Sequence, residues 1–316
     1  MLRAELLSLV DEDICLQIKP DNHRFIYLCD CGVASKLSIK SCHSIGAMFI
    51  SHTHIDHFNN FSGIMRHQLA VGHKVVVCGP RGLARNVSCA LNAYTWNLEF
   101  DEKAVWYEVR EYVAPGEVVT YALRVPDWEP VEVSREEVDA IFSCDAFDVR
   151  CTILDHKTDS IAYLFEEPTK IKVGKDLPFK PGPWVRDLKE AFVAEQPDAM
   201  IDVHGEARRA GELFELVERQ RGHTVGYIMD HLGSQENHDK IAALFADVDE
   251  LYIECYYHDE DRALAIANHH STAVLSGRAA HLARAKQAIP CHFSRRYNGR
   301  LDEIREDFER AWRGEE

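Results

Sequence analysis

The stretch that decides the fold is Ala47-Met48-Phe49-Ile50-Ser51-His52-Thr53-His54-Ile55-Asp56-His57, an apolar run that ends in four metal-competent side chains within six positions. Alternate residues of an extended segment point the same way, so His52 and His54 can bind one cation. Asp56 and His57 then turn towards a second cation as a helix, predicted over Phe58–Ala70, begins. The bland alternative, solvated histidines in a polar loop, does not account for ligands clustered directly behind a buried strand.

Outward from this motif, short runs rich in β-branched and aromatic residues predict strands over Ile45–Ile50, Lys74–Cys78, Val149–Leu154, Ile161–Phe165, Val225–Met229 and Leu251–Glu254. The amino-terminal MLRAELLSLVDEDICLQIKP reads as the first strand and lacks the order of a signal peptide. Amphipathic stretches alternate with the strands. In Gln235–Val248, Ile241, Leu244, Phe245 and Val248 recur at helical spacing. This mixture predicts a layered α/β protein. Several strand-like runs end on a residue able to bind metal or move a proton: VRCTILD before His156, VGYIM before Asp230, LYI before Glu254 and AIPC before His292. Functional groups of open α/β folds collect beyond the carboxyl ends of strands. Taken singly, each is more often an ordinary loop residue; their coincidence carries the weight.

Two cations explain the number of ligands. Three histidines and a shared carboxylate fill one zinc site apart from a water, and a second ion needs its own His and Asp. Asp230 is the natural bridge, because a carboxylate has two oxygens. A hydroxide between two such ions exists near neutral pH and could attack an ester or phosphodiester.

At 316 residues and 46% apolar content, one core and a single domain over 1–316 are expected. No stretch approaches the roughly 18 apolar residues of a membrane span. The ten cysteines are scattered, without a C-x-x-C pair, which favours buried reduced thiols and a cytoplasmic location over a disulfide framework. The net charge of −16 excludes general binding of nucleic-acid backbones unless a local basic surface exists. One such segment is visible. Between Pro168 and Trp184, Pro, Gly and Lys replace the apolar rhythm, which predicts an inserted surface arm at about 168–190. Its Lys170, Lys172, Lys175, Lys180, Arg186 and Lys189 outnumber Asp176, Asp187 and Glu190. Serine-nucleophile chemistry finds no G-x-S-x-G, and Gly79-Pro80-Arg81-Gly82 lacks the spacing and lysine of a phosphate-binding loop.

From YLCDCG near the start to HFSRRY near the end, the sequence resembles the metallo-β-lactamase superfamily and, within it, the ribonuclease Z family of tRNA 3′-processing endonucleases. The resemblance implies a four-layer αββα sandwich, in which Asp30-Cys31-Gly32 matches the Asp-x-Gly that precedes the histidine motif. It implies one cation on His52, His54 and His156, another on Asp56, His57 and His292, and Asp230 on both. The candidate catalytic groups are Asp56, Glu254 and His270; the last belongs to His270-Ser271-Thr272 and forms with Glu254 a relay that protonates the leaving oxygen. Pro181-Gly182-Pro183-Trp184, followed by Leu188-Lys189, resembles the family's substrate arm. Arg296-Tyr297 resembles its closing pair, where a guanidinium can hold a phosphate through two hydrogen bonds. Lys189, Arg296 and Tyr297 are thus the implied substrate contacts, with simple packing or surface salt pairing as the competing explanation. The implied cofactors are two divalent ions; zinc suits the ligands, and manganese or iron fits the same geometry. The resemblance also implies a homodimer.

The chain departs from the family at Met229-Asp230-His231, at His269 before His-Ser-Thr, and at FNNFSG over 58–63. The stretch from His156 to Pro181 is also short for a long tRNA-gripping arm. No departure removes a ligand, but His231 and His269 add bulk around the site and bear on the substrate. Three functions follow: a phosphodiesterase acting on tRNA 3′ ends; a hydrolase of a small phosphodiester, cyclic nucleotide or other ester; and a non-catalytic binding protein, which the filled ligand positions disfavour.

Overall fold

The computed structural model describes residues 1–69, 72–95, 104–174 and 177–315. The chain forms two compact units, residues 1–166 with 223–316, and the inserted segment Glu167–Gly222.

The larger unit holds two sheets. One has eight strands in chain order: Leu2–Leu6, Leu16–Pro20, Ile26–Cys29, Ile45–Phe49, Lys74–Pro80, Trp106–Ala114, Glu117–Leu123 and Val131–Glu137. The four strands from Ile26–Cys29 to Trp106–Ala114 pair in parallel. The other sheet runs in the order Gln287–Cys291, Glu250–Glu254, Thr224–Ile228, Asp159–Glu166, Asp148–Asp155, Phe142–Ser143. Its first three strands are parallel neighbours.

Residue parity builds the layers. Along Lys74–Pro80, Val76 and Cys78 join an apolar cluster with Phe49, Tyr163, Phe165 and Tyr227, which packs sheet against sheet. Val75 and Val77 point the other way, into a cluster with Phe61, Met65, Leu83, Val87 and Leu91 from the helices Phe61–Gln68 and Leu83–Asn92. A strand covered on both faces must read as a continuous apolar run, and KVVVCGP does. On the outer face of the second sheet, Leu154, Ile228 and Ile253 pack with Ile241, Ala279 and Phe308 from three helices. Helix, sheet, sheet and helix give the expected four-layer αββα sandwich.

All six strands predicted from apolar runs are present, within a residue or two of their expected ends. Three expectations within the larger unit need correction. The amino-terminal segment contributes two antiparallel strands, Leu2–Leu6 and Leu16–Pro20, because its acids at 11–13 sit in the connection between them. The helix expected over Phe58–Ala70 is divided into Ile55–Phe58 and Phe61–Gln68, while Ala70 lies outside the described residues. The break has a cause: the Asn60 amide donates to the Cys31 carbonyl at 3.0 Å instead of continuing the helical ladder. The helix expected to reach Val248 stops at Leu244.

The inserted unit is longer than the arm expected at 168–190. It carries the antiparallel pair Lys170–Val173 with Val217–Gln220, the hairpin Met200–Val203 with Glu206–Arg209, and the helix Trp184–Val193. Trp184, Leu188, Ile201, Val203 and Leu213 form its own apolar cluster. Composition marked only the Lys- and Pro-rich opening; from Trp184 onward the apolar rhythm returns, so the remainder looked like the main core. Lys175 and Asp176 lie outside the described residues, while Arg186 pairs with Asp187 and Lys170 with Glu167. All ten cysteines are free thiols. Among the described residues no helix is long and apolar enough to cross a membrane.

Candidate metal centre

The strand Ile45–Phe49 delivers Ser51 and His52 into the gap at the carboxyl ends of the strands, and the short helix Ile55–Phe58 beyond, with His54 at its N-cap, brings round Asp56 and His57. Three convergent sets of donor atoms result: His52, His54, His156 and Asp230; Asp56, His57 and His292; and Asp230, Glu254 and His270. Every metal ligand and catalytic group expected from the sequence is thus in one place.

Asp230 divides the site. Its Oδ2 lies 3.7 Å from His52 Nε2 and 3.4 Å from His156 Nε2, while its Oδ1 lies 3.4 Å from His57 Nε2 and 2.9 Å from His292 Nε2. Two donors on one tetrahedral zinc, each about 2.0–2.1 Å from it, stand about 3.3 Å apart. Most of these spacings are close to that value. Asp56 Oδ2 lies on the Oδ1 side, 3.7 Å from His57 Nε2 and 3.8 Å from His292 Nε2. His54 packs on the other side, its ring 4.3 Å from that of His52 and 5.1 Å from that of His156.

Outer groups fix which nitrogen each ring presents. His57 Nδ1 meets Asp30 Oδ2 at 2.8 Å, and His156 Nδ1 meets the His269 carbonyl at 2.6 Å, so both rings turn Nε2 inward. Asp30 also accepts from the Ser51 amide (2.6 Å), the Ser51 hydroxyl (2.7 Å) and the Tyr227 hydroxyl (2.8 Å). Burial, and then the neighbouring His57, lower the pKa of His52; burial also lowers that of His156. Both keep a free lone pair, the form that binds a cation. His52 Nε2 and His57 Nε2 are buried without a hydrogen-bond partner, while His292 Nε2 and Asp230 Oδ1 face each other at 2.9 Å. Leaving such atoms unsatisfied costs about 1–3 kcal/mol each, so their convergence fits cations held among them.

Asp30, Asp230, His269 and His292 all have φ between 26° and 55°. A non-glycine residue in such a conformation costs on the order of 1–3 kcal/mol. His269 stands where the family has glycine, the residue this conformation favours. Its ring nitrogen lies 3.5 Å from Asp155 Oδ1.

Glu254 is fully buried beside this cluster. Its Oε1 accepts from the His231 amide (2.6 Å) and the Ser271 amide (3.2 Å), and its Oε2 meets His270 Nδ1 at 2.9 Å. His270 Nε2 then faces Asp230 Oδ2 at 3.9 Å. Burial opposes the charge on Glu254, but His270 and the His231 contact outweigh it and lower its pKa. The pKa of His270 rises: burial lowers it, and Glu254 more than compensates. His231 is buried, with Nδ1 3.2 Å from Glu254 Oε1, so it braces the carboxylate from behind.

Sequence reasoning missed Tyr256, whose ring stacks on His270 at 4.0 Å with an interplanar angle of 8°. Its position two residues beyond Glu254, on the same strand parity, was the available signal. Tyr256 also lines a cavity of about 330 Å³ with Ile55, Asp56, His292 and Arg295. Arg296 and Tyr297 have another partner: both bind Asp261 Oδ2, Arg296 at 3.2 Å and the Tyr297 hydroxyl at 2.5 Å, and Tyr297 is buried in the helix-side core. Lys189 lies on the helix of the inserted unit.

Gly32 explains part of the Asp-x-Gly motif. A Cβ there would collide with the Asp56 carbonyl, with Asp13 Cβ at 2.6 Å and with the Ile14 carbonyl at 2.7 Å. Gly32→Ala is therefore expected to destabilise the protein by about 1–3 kcal/mol and to displace Asp56. Thermal unfolding together with metal content checks this, and an unchanged melting temperature would contradict it.

This sandwich and its strand-end centre define the metallo-β-lactamase fold, and solved structures agree. The metallo-β-lactamase fold protein YhfI from Bacillus subtilis superposes with a TM-score of 0.58 at 13% identity, covering 98% of this chain and 92% of that one. Human tRNase Z, short form, superposes with a TM-score of 0.55 at 17% identity, covering 94% and 92%. In sequence the chain resembles ribonuclease Z: it is 28% identical over 315 residues to ribonuclease Z of Deinococcus radiodurans, 94% of this chain and 91% of that one. No protein-family profile matches the chain.

Proposed function

We propose that the chain is a metal-dependent phosphodiesterase of the ribonuclease Z type that cleaves RNA at tRNA 3′ ends. The observation that carries this reading is the division of Asp230, with one oxygen towards His52 and His156 and the other towards His57 and His292, flanked by the Glu254–His270 pair. The ribonuclease Z relatives support the substrate class.

On this reading His52, His54 and His156 hold one cation, Asp56, His57 and His292 the other, and Asp230 both. The donor set has imidazole and carboxylate without thiolate, which suits zinc. When bound, such ions supply Lewis acidity to the phosphate oxygens and lower the pKa of an attacking water. The chain does the rest. The cavity beside Asp56 and His292 admits the phosphodiester, while Tyr256 and Glu254 hold the His270 ring in place. Glu254 takes the Nδ1 proton in a hydrogen bond and stabilises the imidazolium. Nε2 gives its proton to the leaving ribose oxygen as the P–O bond breaks. The proposal extends to a cytoplasmic location, supported by ten free thiols, and to a homodimer, which sedimentation of the purified chain tests.

The deciding experiment sets zinc-loaded protein on precursor tRNA beside a small chromogenic phosphodiester, with His54→Ala as control. Precursor tRNA should be cut at its 3′ trailer, with binding that weakens steeply as salt rises, and His54→Ala should be inactive on both substrates. Cleavage of the small phosphodiester alone would overturn the tRNA assignment and leave the hydrolase.

A further inference from the structure

A second convergence of ligand atoms lies at the other end of the sheets. The strand Asp148–Asp155 runs towards His156 at the metal centre. Cys144 and Asp145 precede that strand, at its opposite end. Facing them is His23, from the turn between the strands Leu16–Pro20 and Ile26–Cys29 of the eight-stranded sheet. One donor atom from each of the three residues lies within 4.8 Å of the others, and His23 Nε2 is 3.0 Å from Asp145 Oδ1.

Two of the three donors are already positioned. The His23 side chain is 15% exposed, between the rings of Phe25 and Tyr27. Its Nδ1 is 3.3 Å from the Phe25 carbonyl. The Phe25 amide donates to Nδ1 at 3.2 Å, so without a cation Nε2 carries the ring proton and donates it to Asp145; a cation takes Nε2 once that proton moves to Nδ1, where the Phe25 carbonyl accepts it. Cys144 Sγ accepts from the Tyr27 hydroxyl at 3.7 Å and its thiol donates to the Phe147 carbonyl at 3.5 Å, two contacts that hold the sulfur in place. Asp145 is 84% exposed and free to swing inwards. A cavity of about 290 Å³ opens beside all three. Lys74 and Arg110 line it as well, and both are paired with Glu108 at 2.6 Å.

We propose that His23, Cys144 and Asp145 form a second cation site that takes one borderline divalent ion such as zinc through imidazole, thiolate and carboxylate, with its fourth position open to the cavity. This donor set differs in kind from the thiolate-free centre at the other end. Binding releases the Cys144 thiol proton to solvent. The ion ties a turn of the eight-stranded sheet to a loop of the six-stranded one, so it raises thermal stability by mass action. None of the three residues takes part in the proposed phosphodiester chemistry, so this inference stands or falls separately from that reading.

Cobalt(II) is the probe, because a near-ultraviolet thiolate-to-cobalt charge-transfer band can arise here and not at the histidine centre. The full-length chain should bind one cobalt ion beyond those of the histidine centre and show the band. Cys144→Ser and His23→Ala should each lose the band and the extra ion while keeping phosphodiesterase activity. Cys89→Ser, at an exposed cysteine elsewhere, should keep the band. A wild-type chain saturated with cobalt but lacking the band would overturn the proposal. So would a band that survives in folded Cys144→Ser.

Discussion

Asp230→Ala is expected to abolish phosphodiester cleavage and to empty both halves of the metal centre with one substitution. The argument is geometric. Each oxygen of this carboxylate lies against the Nε2 atoms of a different pair of imidazoles, so one side chain offers a ligand oxygen to both sets of donors. Lewis-acid stabilisation of several kcal/mol is lost with the cations, and at about 1.4 kcal/mol per factor of ten this removes at least about 10³-fold in kcat/KM. Asp56→Ala provides the contrast. Asp56 approaches only His57 and His292, and its side chain is 37% exposed. It should release the cation of that half alone and leave the His52–His54–His156 half loaded. Metal analysis of the two purified variants reads the difference directly. Full metal content in folded Asp230→Ala would refute the bridging role.

Much of this centre was legible because its supports are interior parallel strands. A strand covered on both faces announces itself as an unbroken apolar run, and the polar residues after it mark the site, as for His52, Asp230 and Glu254; His292 instead follows the edge strand Gln287–Cys291. What stayed hidden depends on contacts between distant segments. The Tyr227 hydroxyl reaches Asp30 across nearly two hundred residues, and no pattern in GYIMDH indicates it. Tyr256 lies past the end of the strand, and although parity gives its side, nothing in ECYYHD indicates that its ring stacks on His270. The edge strand Val131–Glu137 escaped because almost all of it is solvent-exposed, so VEVSREE carries no buried face to read. Arg296 and Tyr297 also bind Asp261, some 35 residues earlier, and no spacing in HFSRRY indicates that contact. The inserted unit shows a related limit: a small apolar core leaves the same helical signature in WVRDLKEAFV as a piece of the main one.

Glu254→Gln should leave both cations in place and still lower kcat on the order of 10²–10⁴-fold, the usual contribution of a positioned general acid. The amide can keep its oxygen on the His231 and Ser271 amides, where Oε1 now accepts. Its NH₂ then faces His270 Nδ1 and donates to it. The ring is left as a neutral tautomer whose only proton is on Nε2, a far weaker acid than imidazolium. This is the same penalty that follows wherever an orienting carboxylate is exchanged for an amide. The pH profile supplies a second readout. Glu254 raises the pKa of His270, so protonated His270, and with it activity, persists to higher pH in the wild type. Removing that charge lowers the His270 pKa, and the alkaline limb of kcat should move to lower pH in Glu254→Gln. His270→Ala should lose the same fold in kcat with little change in KM and should lose that limb altogether. A merely structural Glu254 would change stability and leave the limb where it was. An unshifted alkaline limb in folded, metal-replete Glu254→Gln therefore rules out the relay, whatever the size of the rate loss.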